Sequence, residues 1–176
     1  QDMVVFIIDV DNFKLINDGY GHSVGDSILI QLSERLSTVF RHSDYIVRWG
    51  GEEFVGVARF ANRKDAPHLA QRILEVVNKE PFELGDDVSA IQTCSIGFAV
   101  YPLVPRDRQQ SDWQSLLSLA DASLYKVKSA GKNGWMGVML AEQSLPAGAI
   151  AARRFNQLIA NNTLQVNASR NFQDSV

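Results

Sequence analysis

The chain has 176 residues, 45% hydrophobic and 21% charged, with 17 basic against 20 acidic side chains and a net charge of −3. This length gives one domain with a sizeable core, and this charge balance excludes a global basic field that would recruit a nucleic acid polymer. A single cysteine, Cys94, excludes an internal disulfide, and the longest apolar run, residues 3–8, is too short to span a bilayer.

Residues 3–10, "MVVFIIDV", are β-branched and continuously apolar, as in a strand buried on both faces. Asp11 or Asn12 can cap a short helix through Asn17, with Gly19 and Gly21 as its breakers. Ile28, Leu29, Leu32, Leu36, Val39 and Phe40 form a helical stripe between Val24 and Phe40. In "IVRWGGEEFVGV" two strand-like runs flank Gly50-Gly51, which reads as a primed hairpin turn with φ > 0 at both glycines. A helix is expected over about 65–78, one or two strands within 87–102, and a helix over about 113–130 ended by Gly131. A final short strand lies in "GWMGVML".

The order β, α, hairpin, α, β, α, β predicts a mixed or mostly antiparallel sheet with helices packed on it, an α/β (α+β) fold. Residues 1–140 read as the catalytic domain and 141–176 as a C-terminal extension, an extra helix near 147–162 followed by a loose tail over 166–176. The chain opens without an initiator methionine almost directly in a strand, so it reads as a piece cut from a longer polypeptide.

The chemistry concentrates in carboxylates. Glu52 and Glu53 follow the hairpin turn, and Asp9 ends the first strand. If the hairpin lies beside that strand, Asp9 and Glu52 approach each other, and such like charges are costly unless a hard cation neutralises them. Alone, Asp9 reads equally as a helix-flanking carboxylate, and Asp11 is sufficiently explained as a cap. Oxygen donors without histidine or cysteine favour Mg²⁺ or Mn²⁺, and Mg²⁺ held by few carboxylates commonly takes phosphate as its remaining partner. The cluster therefore points to a nucleoside triphosphate. Lys14 lies one turn past Asp11, and Lys128 and Lys132 share a face at the end of the last long helix, where they also complement its dipole. Asn17 and Asp26 carry the right groups to read a guanine edge, though taken alone such residues are more often turn and cap formers.

Together, "IDVDNFKLINDGYGHSVGD", "RWGGEEF" and "SLADASLYKVKSAGKNG" resemble the GGDEF domain of diguanylate cyclases, in the right order from about residue 3 to residue 140. The resemblance implies a five-stranded, mostly antiparallel sheet surrounded by helices, like nucleotidyl cyclases and the polymerase palm. It implies that Asp9, Glu52 and the carbonyl of Val10 hold two Mg²⁺ or Mn²⁺ ions per half-site. Glu52, Glu53 and Lys14 are implied to be catalytic, Glu53 as ligand or base. Phe13, Asn17, His22, Asp26, Lys128 and Lys132 are implied to bind GTP. Glu52 stands where the family name has aspartate, and Lys132 where arginine is common, which keeps the charge and loses the fork.

The implied reaction joins two GTP into cyclic di-GMP with release of pyrophosphate, across an antiparallel homodimer. "RHSD", five residues before Gly50, resembles the family's inhibitory product site, which implicates Arg41 and Asp44, with Arg72 as a helper. The family's usual D-x-L-T…N-R-R segment ahead of the first strand is not in this sequence. The expected setting is a cytoplasmic domain of a larger, membrane-anchored protein with an upstream sensor. The rival readings are a catalytically silent receptor for cyclic di-GMP or GTP and a related cyclase making another cyclic nucleotide.

Overall fold

In the computed structural model the described residues are 2–85, 87–103, 112–140, 155–161 and 164–169. They form, in chain order, β1 (Asp2–Val10), α1 (Phe13–Tyr20), α2 (His22–Ser37), β2 (Tyr45–Gly50) and β3 (Glu53–Ala61). A 3₁₀ turn at Arg63–Asp65 leads into α3 (Ala66–Asn78), followed by β4 (Phe82–Gly85), β5 (Val88–Ala90), β6 (Cys94–Tyr101) and α4 (Trp113–Ser129). The described elements end with β7 (Gly134–Leu140), α5 (Phe155–Ala160) and β8 (Leu164–Ala168). None of the described helices is long and apolar enough to cross a membrane.

The strand order is β2-β3-β1-β6-β7-β8, so β1 is central, with antiparallel neighbours on both sides. Only β6 and β7 run parallel, joined by the α4 crossover. This is a mostly antiparallel, palm-like sheet, with six strands rather than five. The sixth is β8, which pairs antiparallel with β7. It draws residues 166–168 out of the tail expected to be loose, because Leu164 and its neighbours find apolar cover on the sheet. The extra helix is present as α5; residues 147–154 and 170–176 lie outside the described residues.

Alternation along β1 explains its apolar composition. Val4, Phe6, Ile8 and Val10 enter one core with Ile28, Leu32, Leu36, Ile73 and Val77 from α2 and α3. Val5 and Ile7 face the other, built on Leu116, Leu119 and Ala120 of α4 and on Phe155, Leu158 and Leu164. Phe6 is fully buried, meeting Phe40 edge-on at 6.1 Å and Phe98 at 5.6 Å between ring centroids. Burying one such ring stabilises the fold by about 2–3 kcal/mol. The same alternation puts Asp9 on the α4 face, where its partner is found.

Three local readings change. The short helix continues through Gly19 to Tyr20 and breaks at Gly21, whose φ is 87°. Its first residue follows Asn12, held at φ 57° with no side-chain cap. The hairpin has positive φ at Gly51 alone (51°), not at both glycines, because Gly50 remains in β2 and Trp49 is bulged out of register. That shift makes Gly51–Glu52 the turn and puts Glu52 at its tip. The small β4–β5 ribbon adds β4 to the strands expected within 87–102: Phe82 and Leu84 alternate into the core, and Gln31 clamps the strand, donating to the Glu83 carbonyl (2.8 Å) and accepting from its N–H (3.0 Å).

Candidate active site

The C-terminal end of β1, the α1–α2 corner and the β2–β3 turn meet at one end of the sheet. Asp9 stands opposite Glu53 in the β1–β3 register, and the Val10 N–H donates to the Glu52 carbonyl at 3.3 Å. Asp9 is only 5% exposed, and its Oδ2 lies 2.7 Å from Lys128 Nζ. Burial pushes the Asp9 carboxyl above the usual carboxylate range; the Lys128 hydrogen bond and charge pull it down, and Glu52 and Glu53 push it up further. Lys128 thus sits on Asp9 rather than on the neighbouring cleft.

That cleft, about 490 Å³, is lined by Phe13, Lys14, Asn17, His22, Asp26 and Glu52. Asp18, Arg48 and Gly51 complete it. Its volume suits a nucleotide. Arg48 is the residue that sequence reasoning passed over: its Nε donates to the Gly51 carbonyl at 2.9 Å, bracing the turn that carries Glu52. Period-two reading of β2 would have found it, since Arg48 shares a face with Ile46, which packs toward the α2 side.

Asn17 Oδ1 is buried without a hydrogen-bond partner. A buried acceptor left open is costly unless a ligand donates to it. It is seated there by Gly25: a Cβ at Gly25 would come 2.0 Å from Asn17 Oδ1 and 3.0 Å from the Phe13 ring. On the GTP-binding role that the sequence resemblance implies for Asn17, Gly25→Ala is therefore expected to displace it and weaken GTP binding about tenfold, the scale of one lost hydrogen bond in a buried site. Helix propensity meanwhile favours alanine by about 1 kcal/mol. Calorimetric titration with GTP alongside thermal melting checks both signs.

The loop after α4 brings in the second lysine. Gly131, at φ 113°, ends α4, and the Lys132 N–H returns to the Val127 carbonyl at 3.0 Å, the 6→1 bond of a Schellman cap. Lys132 Nζ then donates to Asn12 Oδ1 at 2.6 Å. Asp11, only 1% exposed, holds this corner together. It accepts from Thr93 Oγ1 (2.7 Å), Ser95 Oγ (2.6 Å) and the Asn133 N–H (3.0 Å). Asp11 is therefore a buried pin between β1, β6 and the α4 loop, not a helix cap.

No three acidic, histidine or cysteine side chains converge as a closed metal cage among the described residues. The donors still fit a hard dication. Asp9 already satisfies its charge with an ammonium group, and the Glu52 and Glu53 carboxylates have no hydrogen-bond or ion-pair partner among the described residues. Oxygen donors that number too few for a cage suit Mg²⁺, which completes its shell with phosphate and water.

A second cavity, about 400 Å³, brings Arg41, Asp44 and Arg72 together. The Asp44 carboxylate is anchored at both oxygens, Oδ2 accepting from the Arg41 N–H at 2.8 Å and Oδ1 from the Arg59 N–H at 2.9 Å.

Residues 1–134 match the family described as diguanylate cyclase, GGDEF domain. The bifunctional diguanylate cyclase/cyclic di-GMP phosphodiesterase MucR of Pseudomonas aeruginosa is 36% identical over 131 residues, 74% of this chain and 18% of MucR. Diguanylate cyclase DosC of Escherichia coli is 37% identical over 129 residues, 73% of this chain and 27% of DosC. The chain thus spans less than a third of either relative. The solved active GGEEF domain of a diguanylate cyclase from Vibrio cholerae superposes with a TM-score of 0.66 at 31% identity, over 76% of this chain and 80% of that one. Gly50-Gly51-Glu52-Glu53-Phe54 spells the GGEEF by which that structure is named, here at the turn that borders the cleft, and the chain belongs to the GGDEF domain family of diguanylate cyclases.

Proposed function

We propose that this domain condenses two GTP into cyclic di-GMP as one half of an antiparallel homodimer. The observation that carries the reading is that a single cleft aligns Asn17 and Asp26 with Lys14 and the turn-tip Glu52, beside the buried Asp9. Asn17 and Asp26 hold the guanine edge, the carboxylate accepting from the ring N–H and exocyclic amine. Phe13 and His22 flank the nucleotide. Lys14 meets the phosphates, and Lys128 and Lys132 turn to them when their present partners are exchanged for substrate.

Asp9, Glu52 and the Val10 carbonyl would hold two Mg²⁺ or Mn²⁺ ions, with Glu53 beside them as ligand or base. Bound there, divalent ions acidify the attacking hydroxyl and neutralise charge on the α-phosphate. The 3′-oxygen of one GTP bonds to the α-phosphorus of the other, its proton leaves to a neighbouring base, and the bond to the leaving pyrophosphate breaks. Repetition in the opposite sense closes the ring. Each domain supplies one GTP, so the second domain must face it; an upstream sensor in the longer protein would set that encounter through effective concentration. The cavity of Arg41, Asp44 and Arg72 takes the product and restrains the enzyme.

Incubating the protein at high concentration with GTP and Mg²⁺ is expected to release pyrophosphate and cyclic di-GMP in a 2:1 ratio. Chelation of the metal stops the reaction, and added cyclic di-GMP slows the wild type but not Arg41→Ala. A folded, dimeric preparation that yields neither product would overturn the cyclase reading in favour of a receptor module. Product inhibition unchanged in Arg41→Ala would remove the second-site assignment alone.

A further inference from the structure

The rim of the second cavity contains a residue in an unfavourable conformation. Phe60 adopts φ 53°, in the left-handed region that bulky side chains avoid. The cause is a bulge: Val4 pairs with Ala58 and Asp2 with Ala61, so Arg59 and Phe60 together oppose Met3 alone. Bulges of this kind normally place glycine at the left-handed position, and they re-aim side chains at strand ends. Here the position carries a phenylalanine whose side chain is turned out of the sheet, 57% exposed, and lines the cavity. An apolar ring displayed at the cost of backbone strain invites a functional explanation.

Its surroundings specify the ligand chemistry. The Arg59 guanidinium lies 4.8 Å from the Phe60 ring centroid and 5.4 Å from that of Tyr45, and Arg59 Nη1 donates to the Tyr45 hydroxyl at 3.1 Å. Arg59 is itself anchored by its N–H on Asp44. The ring is thus backed by a fixed cation, yet enough of it stays exposed for another planar partner. Arg41 and Arg72 line the same cavity, suited to phosphate oxygens. A planar platform next to paired arginines matches a ligand with both a purine face and phosphodiester charge.

We propose that Phe60, presented by the β3 bulge and backed by Arg59, is a stacking platform for a purine base of a cyclic dinucleotide whose phosphates meet Arg41 and Arg72. This rests on the second-site reading above and adds to it the residue that grips the base.

The experiment is calorimetric titration of cyclic di-GMP into the full chain and its Phe60→Gly, Phe60→Leu, Phe60→Trp and Arg41→Ala variants, with a thermal melt of each. Phe60→Gly is expected to bind about tenfold more weakly, the loss that follows removal of one aromatic partner from a base. It should melt no lower than the wild type, because glycine relieves the positive φ. Phe60→Leu should lose affinity similarly, having bulk without a π face, and Phe60→Trp should keep it to within about threefold. Phe60→Gly or Phe60→Leu binding as tightly as the wild type, while Arg41→Ala does not, would overturn the platform and leave the cavity assignment intact. Absence of binding by the wild type itself would overturn both.

Discussion

Asp9→Asn is expected to cut cyclic di-GMP formation about a thousandfold while raising the melting temperature at neutral pH. The activity loss follows from removing a charged oxygen from the cation site proposed there, where electrostatic contacts to the transition state are each worth about a hundred- to a thousandfold. The stability gain follows from the environment. Burial, reinforced by Glu52 and Glu53, raises the Asp9 carboxyl above its unfolded value even with Lys128 in contact. A carboxyl with a raised native pKa favours the fold while protonated, and that contribution fades as pH rises through the native value. At pH 7 the wild type therefore bears a charge its site disfavours, and asparagine does not. Lys128 is 36% exposed at its side chain, so it can regain water when the ion pair is lost. Each kcal/mol recovered raises the melting temperature of a domain this size by about 2–4 °C. The gap between variant and wild type should widen from pH 4 to pH 7. A variant that melts lower at pH 7 would mean that the Lys128 pair outweighs desolvation, and one with near-normal turnover would remove Asp9 from the cation site.

This opposition between stability and activity explains why some of the site was legible in the sequence and some was not. Paired glutamates after a glycine turn and an aspartate ending an apolar strand break the local pattern, and such breaks are where function lies. Motif spacing likewise carried Asn17 and Asp26 to one cleft, since both lie in the α1–α2 segment and need only local geometry. What stayed hidden depends on long-range contacts. Asp11 looks like a cap because its partners, Thr93, Ser95 and Asn133, lie more than 80 residues away. The Lys128–Asp9 ion pair was hidden for the same reason, since only α4 lying over β1 brings the two together. The turn was misplaced by one residue because a bulge at Trp49 leaves no trace in composition.

The same reasoning applies to β8: "TLQVNAS" alternates apolar and polar residues as a strand does, but its pairing with β7 is a long-range contact that local alternation does not specify. Ending the chain at Leu140 is expected to lower the melting temperature by about 10 °C, although the residues of the cleft all remain. Phe155, Leu158 and Leu164, each under 8% exposed, pack on the α4 side of the sheet with Val5, Leu116 and Val138. Three such side chains contribute about 5–8 kcal/mol of burial as an upper estimate. Part of that returns because the deleted residues need no longer be ordered, leaving a net loss of several kcal/mol from a typical total of about 5–15. Truncation also strips β7 of its outer neighbour, and an open, apolar edge promotes self-association, so light scattering should rise with the loss of stability. Leu158→Ala separates the two effects, since it keeps β8 in place and is expected to cost about 2–3 kcal/mol through a buried cavity. If the truncated chain melts within about 2 °C of the full one, the cover over α4 contributes no net stability. A truncated protein that melts lower yet turns over GTP at reduced temperature would instead place the whole contribution of residues 155–169 in holding the sheet, at the end of the molecule's architecture farthest from the Gly51–Glu52 turn in strand order.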